Sequence, residues 1–231
     1  MTALRVRDLA QQHGPVVALH GLDLDVEPGK IVGLLGPNGA GKSSAMRLLS
    51  GEDRVLRGTI LLGCEDVTSW PVYRRVRSGL GYVAQSPSVV PELSVYDNVV
   101  LGLADTSGVH GWLEAADLLG LAGRRAAILS GGERRRLEIV RALARGPKVL
   151  LLDEPFAGLD PIHVGWAEHA LRGAAERGVA VVLSDHQVAS TSRLCHEIVL
   201  LLSGRVEVRG SPAAVRANAE AVKQFFGHDS C

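Results

Sequence analysis

The chain has 231 residues, of which 46% are apolar and 22% are charged, and its formal net charge is zero. This composition supports a folded domain with a sizeable core, and the absence of a basic excess argues against nucleic-acid binding. Three cysteines lie far apart, at positions 64, 195 and 231, so we expect free thiols and no zinc site. Charges interrupt the first apolar residues and every apolar run is short, so we expect no signal peptide and no direct membrane insertion.

The first third of the chain has the pattern of strands around one helix. Alternating apolar and polar residues at 4–9 and 18–26 predict two strands of a small antiparallel sheet. The apolar run at 30–35 predicts a buried parallel strand, and helical spacing then continues to Gly51, which is placed to end that helix. The other elements predicted before residue 85 are a strand at 58–62, a short basic helix at 71–77 and a strand at 79–83.

Beyond residue 84 the pattern changes twice. Amphipathic segments at 94–102 and 112–121 predict two helices. From residue 130 onward, helices again alternate with apolar strands, which is typical of a parallel sheet. The predicted elements there are helices at 133–144, 164–177 and 188–195, strands at 149–154 and 179–183, a hairpin from 198 to 208, and a final helix that begins at Ser211.

A glycine-rich loop lies between the strand at 30–35 and the first helix. It matches the phosphate-binding pattern G-x-x-x-x-G-K-[S/T] at every fixed position, with the flanking strand and helix that the pattern requires. Its glycines let successive N–H groups converge on an anion, Lys42 can reach the β- and γ-phosphates, and the Ser43 hydroxyl can bind Mg²⁺. The predicted nucleotide-binding residues of this loop are Gly36, Pro37, Asn38, Gly39, Ala40, Gly41, Lys42, Ser43 and Ser44.

The loop and the order of elements together predict the fold class and the domain organisation. We expect an α/β protein with a P-loop NTPase core and a mainly parallel sheet, formed by residues 1–84 and 130–231, with an antiparallel β flank. Residues 85–129 are expected to form a short α-helical subdomain. Residues 1–231 then make up a single domain.

Two carboxylates, Asp153 and Glu154, end the strand at 149–154. Asp153 can hold Mg²⁺ together with Ser43, and Glu154 can polarise an attacking water. The alternative is that the two residues are a solvated strand end before a proline turn. That interpretation is the weaker one, because the phosphate loop gives Asp153 a partner for holding a metal. Gln85 and His186 each follow a predicted strand, and either one alone would be taken for an ordinary polar or structural residue.

These motifs follow one another in one order: the phosphate loop, Gln85, Leu-Ser-Gly-Gly-Glu at 129–133, Asp153-Glu154 and His186. On these residues the chain resembles the ATP-binding-cassette (ABC) ATPases over essentially its whole length. The resemblance implies hydrolysis of ATP with Mg²⁺. It also implies that Glu154 is the general base, that Gln85 senses Mg²⁺ and water, and that His186 contacts the γ-phosphate.

The same resemblance implies a head-to-tail homodimer with two ATP molecules between the copies. Ser130, Gly131 and Gly132 form a helix N-terminus, an anion site that would complete the site of the second copy. Asp160 would line the seam between the copies. Lys42 and Ser130 would then stabilise the charge that develops on the transferred phosphoryl group.

Two features depart from the family pattern. The family usually stacks an aromatic residue, commonly tyrosine, on adenine, and the matching turn here offers His13, whose ring has less area for stacking. The alternative for His13 is a solvent-exposed turn residue. The stretch 85–130 is also shorter than in lipopolysaccharide exporters, with the loss near 105–112, in a region that borders the surface on which family members seat the membrane subunit.

A narrower resemblance depends on LSVYDN at 93–98, LSGGERRRL at 129–137, DEPFAGLDP at 153–161 and SDH at 184–186. These stretches are similar to the ATPase of the bacterial lipopolysaccharide-export transporter and, next, to branched-chain amino-acid importer ATPases. Either implies integral-membrane partner subunits and a cytoplasmic location at the inner face of the membrane. In the arginine run at 134–136, we expect at least two side chains on a solvated helix face.

Other classes of protein are weighed against this one. A soluble cassette in translation or DNA repair would usually carry two cassettes or long coiled-coil insertions, and this chain has neither. A GTP-specific switch would need a guanine-reading N-K-x-D motif, which we do not find. A non-transport ATP switch that only binds nucleotide is disfavoured by the intact Asp153-Glu154 pair.

Overall fold

The structure is a computed structural model that describes residues 2–186 and 188–218, without the side chains of residues 13 and 188–190. The strands within these ranges are β1 (Leu4–His13), β2 (Val16–Val26), β3 (Ile31–Leu35), β4 (Arg57–Leu62), β5 (Glu65–Asp66), β6 (Leu80–Val83), β7 (Val149–Asp153), β8 (Ala180–Asp185), β9 (Glu197–Leu202) and β10 (Arg205–Gly210). The α-helices are α1 (Lys42–Ser50), α2 (Val72–Arg77), α3 (Val95–Val100), α4 (Val109–Ala115), α5 (Gly131–Ala144), α6 (Pro161–Glu176), α7 (Val188–Leu194) and α8 (Pro212–Ala217).

The strands form two sheets. The larger has the order β10-β9-β3-β8-β7-β6, in which every neighbouring pair except β10 with β9 is parallel. The smaller is antiparallel, with the order β2-β1-β4-β5. This confirms the predicted α/β fold with its antiparallel flank. Because β3, β6, β7 and β8 run in parallel, the loops after them emerge at one edge of the larger sheet, where α/β proteins bind ligands.

Apolar side chains divide the interior into three cores. Alternate residues of β3 face opposite ways: Val32 and Leu34 pack with α1 and the smaller sheet, whereas Ile31 and Leu35 pack with residues of α5 and α6. The third core joins α3 and α4 to one side of α5. Helix α5 therefore contributes to two cores, and it connects α3 and α4 to the larger sheet.

Element boundaries differ from the sequence prediction where local irregularities occur. Strand β1 continues past residue 9 to His13, through register shifts that hide its alternation. The helix expected at 112–121 is replaced by α4, which ends at Ala115, and a separate 3₁₀ turn at Leu119–Leu121. Between them Asp117 has a φ of 53°, which a continuous helix cannot include.

Two further expectations concern cysteines and membranes. Cys64 and Cys195 are free thiols, as expected, and Cys231 lies outside the described residues. Among the helices that the structure describes, none combines the length and the apolar character that crossing a bilayer requires.

Candidate active site

The carboxyl edge of the larger sheet opens on a cleft of about 590 Å³. Much of the phosphate loop lines it, together with the predicted Gln85 and Glu154. The complete set of lining residues is Val16, Val17, Ala18, His20, Asn38, Gly39, Ala40, Gly41, Lys42, Ser43, Ser44, Gln85, Glu154 and Ser203.

The conformation of the phosphate loop depends on glycines that touch neighbouring backbone. A Cβ on Gly36 would lie 2.3 Å from the Leu201 carbonyl oxygen, and one on Gly41 would lie 2.5 Å from that of Ala18. Gly41, with a φ of 102°, is also the N-cap of α1, and no side chain caps that helix end. Its first N–H groups are therefore available to an anion in the cleft.

Lys42 lies inside the loop. Its Nζ donates hydrogen bonds to the carbonyl oxygens of Gly36, at 2.7 Å, and Pro37, at 3.0 Å. Burial lowers the pKa of Lys42, while the nearby carboxylates of Glu154 and Asp153 act in the opposite direction. A partly desolvated cation at this place is suited to bind phosphate oxygens.

The two residues predicted to hold the metal lie next to each other. The Ser43 hydroxyl is 3.4 Å from Oδ1 of Asp153, a carboxylate that is 2% exposed and also accepts a hydrogen bond from Ser184. A hydroxyl and a carboxylate are the hard oxygen donors that Mg²⁺ prefers, and Mg²⁺ normally completes its shell with water and phosphate. Among the described residues there is no cluster of three or more His, Cys, Asp or Glu side chains that could hold a metal ion.

Glu154 follows β7 with an unusual backbone conformation. Its φ is 51°, in the left-handed region that is costly for residues other than glycine and that is common at functional sites. Its N–H donates to the Ser184 carbonyl oxygen at 2.9 Å. Its Oε1 lies 3.7 Å from Nδ1 of His186, so the structure brings these two predicted side chains together. Of the two, Glu154 lines the cleft and His186 does not.

Ser130, Gly131 and Gly132 do not line this cleft. Ser130 caps α5 through a reciprocal pair of hydrogen bonds with Glu133, and a Cβ on Gly132 would lie 3.1 Å from the Gly158 carbonyl oxygen. The N-terminus of α5 therefore packs against the loop before α6.

Asp160 is not among the cleft residues either, and it caps α6. Its Oδ1 accepts from the N–H groups of Ile162 and His163, and its Oδ2 lies 2.6 Å from Nδ1 of His163. These hydrogen bonds from the backbone and side chain of His163 lower the pKa of Asp160. The sequence prediction did not anticipate this structural role.

The expected adenine contact falls on His13, which ends β1 opposite Val16. The side chain of His13 lies outside the described part of the chain, so stacking stays a prediction. The sequence analysis missed Val16, Val17 and His20, which line the cleft. The available sequence signal was two consecutive valines just before the strand predicted at 18–26, and in the structure they are 64% and 39% exposed.

The expectation for the arginine run at 134–136 is wrong. Arg135 and Arg136 are each 5% exposed, because α5 is covered by the larger sheet on one side and by the helical subdomain on the other. Both guanidinium groups donate hydrogen bonds to backbone carbonyl oxygens, Arg135 near the ends of β6 and β7 and Arg136 just after α4. The buried Nε of Arg136 has no hydrogen-bond partner among the described residues.

The phosphate loop, the Ser43–Asp153 pair and Glu154 define a P-loop ATPase of the α/β class. The family model described as ABC transporter matches residues 19–157, which is more than half of the chain. The chain therefore belongs to the ABC transporter family, and it is an ATPase.

Curated relatives match nearly the whole chain. A probable ABC transporter ATP-binding protein of Azorhizobium caulinodans is 38% identical over 96% of this chain and 82% of the relative. The lipopolysaccharide export system ATP-binding protein LptB of Acidithiobacillus ferridurans is 40% identical over 92% of this chain and 91% of the relative. LptB of Escherichia coli K12 is 35% identical over 99% of both chains.

Solved structures confirm the fold. The structure of an ATP-binding subunit of an ABC transporter is 26% identical, covers 98% of this chain and 97% of its own, and superposes with a TM-score of 0.86. A dimeric ATP-binding cassette in a post-hydrolysis state, bound to ADP and phosphate, is 23% identical with a TM-score of 0.81, over 90% of this chain and 98% of its own.

Proposed function

We propose that this chain is the ATPase subunit that energises export of lipopolysaccharide or a related lipid. The observation that carries this proposal is the near full-length similarity to two LptB proteins, at 40% and 35% identity. A relative whose name specifies no cargo is 38% identical, a value between those of the two LptB proteins. The experiment must therefore identify the cargo.

We infer the site roles from the cleft. Ser43 and Asp153 would hold Mg²⁺, with Gln85 on the same cleft, and the ion would neutralise charge on the phosphates. Lys42 and the N-terminus of α1 would bind the phosphates. Glu154 would orient the attacking water, and His186, close to Glu154, would contact the γ-phosphate.

We infer further that two copies enclose two ATP molecules. Ser130 to Gly132 lie outside the cleft of their own chain, yet they present a helix N-terminus, a natural anion site, beside the loop before α6. A head-to-tail pair would give that N-terminus a phosphate to bind. One structural neighbour, a cassette bound to ADP and phosphate, is dimeric, which supports a pair of copies.

Integral-membrane partners are the third part of the proposal, and they would hold this chain at the cytoplasmic face of the membrane. A second cleft, of about 440 Å³, lies where β6 meets α5 and the helical subdomain, with Tyr82, Leu101, Arg141 and Arg145 among its lining residues. Leu101 is an exposed large apolar residue there, a suitable contact for a partner helix. The cleft is lined by residues of β6 and α5 and by Ser88, Val90 and Leu101, which belong to the segment 85–129 that we propose as a helical subdomain.

The experiment is to tag the protein in its own host, extract membranes in mild detergent and identify the co-purified membrane proteins. The proposal predicts lipopolysaccharide-export subunits, and depletion of the chain should make newly made lipopolysaccharide accumulate in the inner membrane. Co-purified importer permeases with lost uptake of branched-chain amino acids would contradict the export proposal. Absence of any membrane partner, with ATPase activity retained, would favour a non-transport role.

A further inference from the structure

Helix α5 carries two adjacent buried arginines with different partners. The side chains of Arg135 and Arg136 are each 6% exposed. Arg136 donates to the carbonyl oxygens of Ala116 and Asp117, in the helical subdomain. Arg135 points the other way, toward the ends of β6 and β7. The two residues therefore form a natural pair for comparison.

Arg135 binds the backbone at two functional motifs. Its Nη1 donates to the carbonyl oxygen of Ala84, the residue before Gln85, at 2.6 Å. Its Nη2 donates to the carbonyl oxygens of Asp153 and, at 2.8 Å, Glu154. One planar guanidinium thus connects the segment of the predicted metal-sensing glutamine to the segment of the predicted general base.

The contact matters because of the conformation of Glu154. With a φ of 51°, this residue is held in a region that its own side chain disfavours, so surrounding contacts must maintain it. The Glu154 N–H donates to the Ser184 carbonyl oxygen. The Glu154 carbonyl oxygen accepts from the N–H of Ala157, at 3.2 Å within the same turn, and from Arg135, which is the contact from a different element. Both backbone groups of Glu154 are therefore hydrogen-bonded.

A second buried charge keeps Arg135 in place. Glu138, one turn along α5, lies 3.1 Å from Nη1 of Arg135, and its other carboxylate oxygen accepts the N–H of Ser88. The pair is nearly inaccessible, so removing the arginine would leave an uncompensated buried carboxylate. A test must therefore keep a positive charge at this position.

We propose that Arg135 is a positioning residue for ATP hydrolysis. It fixes Glu154 and the Gln85 segment through their backbones, and it joins both to the helix whose N-terminus is Ser130. The inference depends on the proposed role of Glu154 as general base. A displaced Glu154 carboxylate would slow the attack of water without changing how the phosphate loop binds ATP.

The test compares Arg135→Lys with Arg136→Lys. Lysine keeps the charge next to Glu138, but one ammonium on a flexible stem cannot reproduce the planar fork that reaches Ala84, Asp153 and Glu154. We expect Arg135→Lys to lower kcat roughly 10- to 100-fold, with the Kd of ATP changed less than about twofold. The control, Arg136→Lys, changes an equally buried arginine that has no hydrogen bond at β6 or β7. It should keep kcat within about twofold of the natural protein. Urea unfolding of both variants reports their stability.

The outcomes are separable. A kcat in Arg135→Lys close to that of Arg136→Lys would overturn the proposal, and so would equal large losses in both, since that result would come from a damaged α5. Glu154→Gln, measured alongside, tests the base itself. If that variant still hydrolyses ATP, the proposed role of Glu154 fails; if it is inactive while Arg135→Lys is not, only the positioning role fails.

Discussion

His13 is the residue on which recognition of the nucleotide base depends in this account. We predict that His13→Ala weakens ATP binding several-fold, because the loss of an aromatic face removes a stacking contact of about 1 kcal/mol. Titration of a fluorescent ATP analogue measures the effect. His20→Ala is the matched comparison, since His20 lines the cleft. Unchanged affinity in His13→Ala, with a loss in His20→Ala, would transfer the base contact to His20.

Single residues differ in how far the sequence could predict them. Lys42, Ser43 and Asp153 could be singled out because a short loop and a strand end fix their geometry locally. In the structure Lys42 and Ser43 line the cleft, and Asp153 lies 3.4 Å from the Ser43 hydroxyl. The burial of Arg135 could not be predicted, because it arises when two distant parts of the chain cover α5. No local pattern distinguishes such an arginine from one on a solvated face.

The C-terminal end of α1 depends on α2, because Arg75 of α2 donates hydrogen bonds to carbonyl oxygens at the end of α1. The Arg75 guanidinium donates to the carbonyl oxygens of Leu48, Leu49, Thr68 and Trp70. Burial lowers the pKa of Arg75 to about 10, which still leaves it charged at neutral pH.

We predict that Arg75→Met lowers the free energy of unfolding by about 3 kcal/mol, because several buried carbonyl groups lose their donor. Chemical denaturation measures the change. The exposed Arg77→Met on the same helix should change it by less than about 0.5 kcal/mol. A loss in Arg75→Met no larger than in Arg77→Met would show that these carbonyl groups do not need the guanidinium.

The start of α5 gives a pH prediction. Hydrogen bonds from the Ser130 side chain and backbone lower the pKa of Glu133. A depressed carboxylate pKa contributes stability that is present above the unfolded value, about 4.3, and is lost as the pH falls through the folded value. Glu133→Gln should therefore show a shallower loss of unfolding free energy on acidification below about pH 4.5. Identical pH slopes for the variant and the natural protein, in urea titrations, would contradict the capping interaction.

Elements were predictable in type and less so in extent. The apolar runs of β3, β7 and β8 identify buried parallel strands because both of their faces are covered. The length of β1 and the end of α4 were not predictable, since a register shift and a single left-handed residue decide them. The register shift arises in the pairing with β2, and α4 ends at a left-handed Asp117; the spacing of apolar residues records neither.

At the scale of the whole molecule, the proposed nucleotide cleft and a helix N-terminus suited to an anion lie apart in the described part of the chain. The cleft is lined by Asn38 to Ser44 and by Glu154, and Asp153 lies 3.4 Å from the Ser43 hydroxyl, whereas Ser130 to Gly132 lie elsewhere. A pair of chains would bring these two surfaces together around ATP, and hydrolysis would release them. The central claim is therefore that Glu154 catalyses the ATP hydrolysis that lets an ATP-bound dimer separate.

The most direct test is Glu154→Gln with Mg²⁺ and ATP, followed by light scattering and phosphate release. The amide keeps the shape of the side chain but cannot accept a proton from water. The account predicts a species of twice the mass of one chain, two retained ATP molecules per dimer, and hydrolysis reduced by at least about a hundredfold. A variant that stays monomeric with ATP bound, or that hydrolyses ATP at the natural rate, would contradict it.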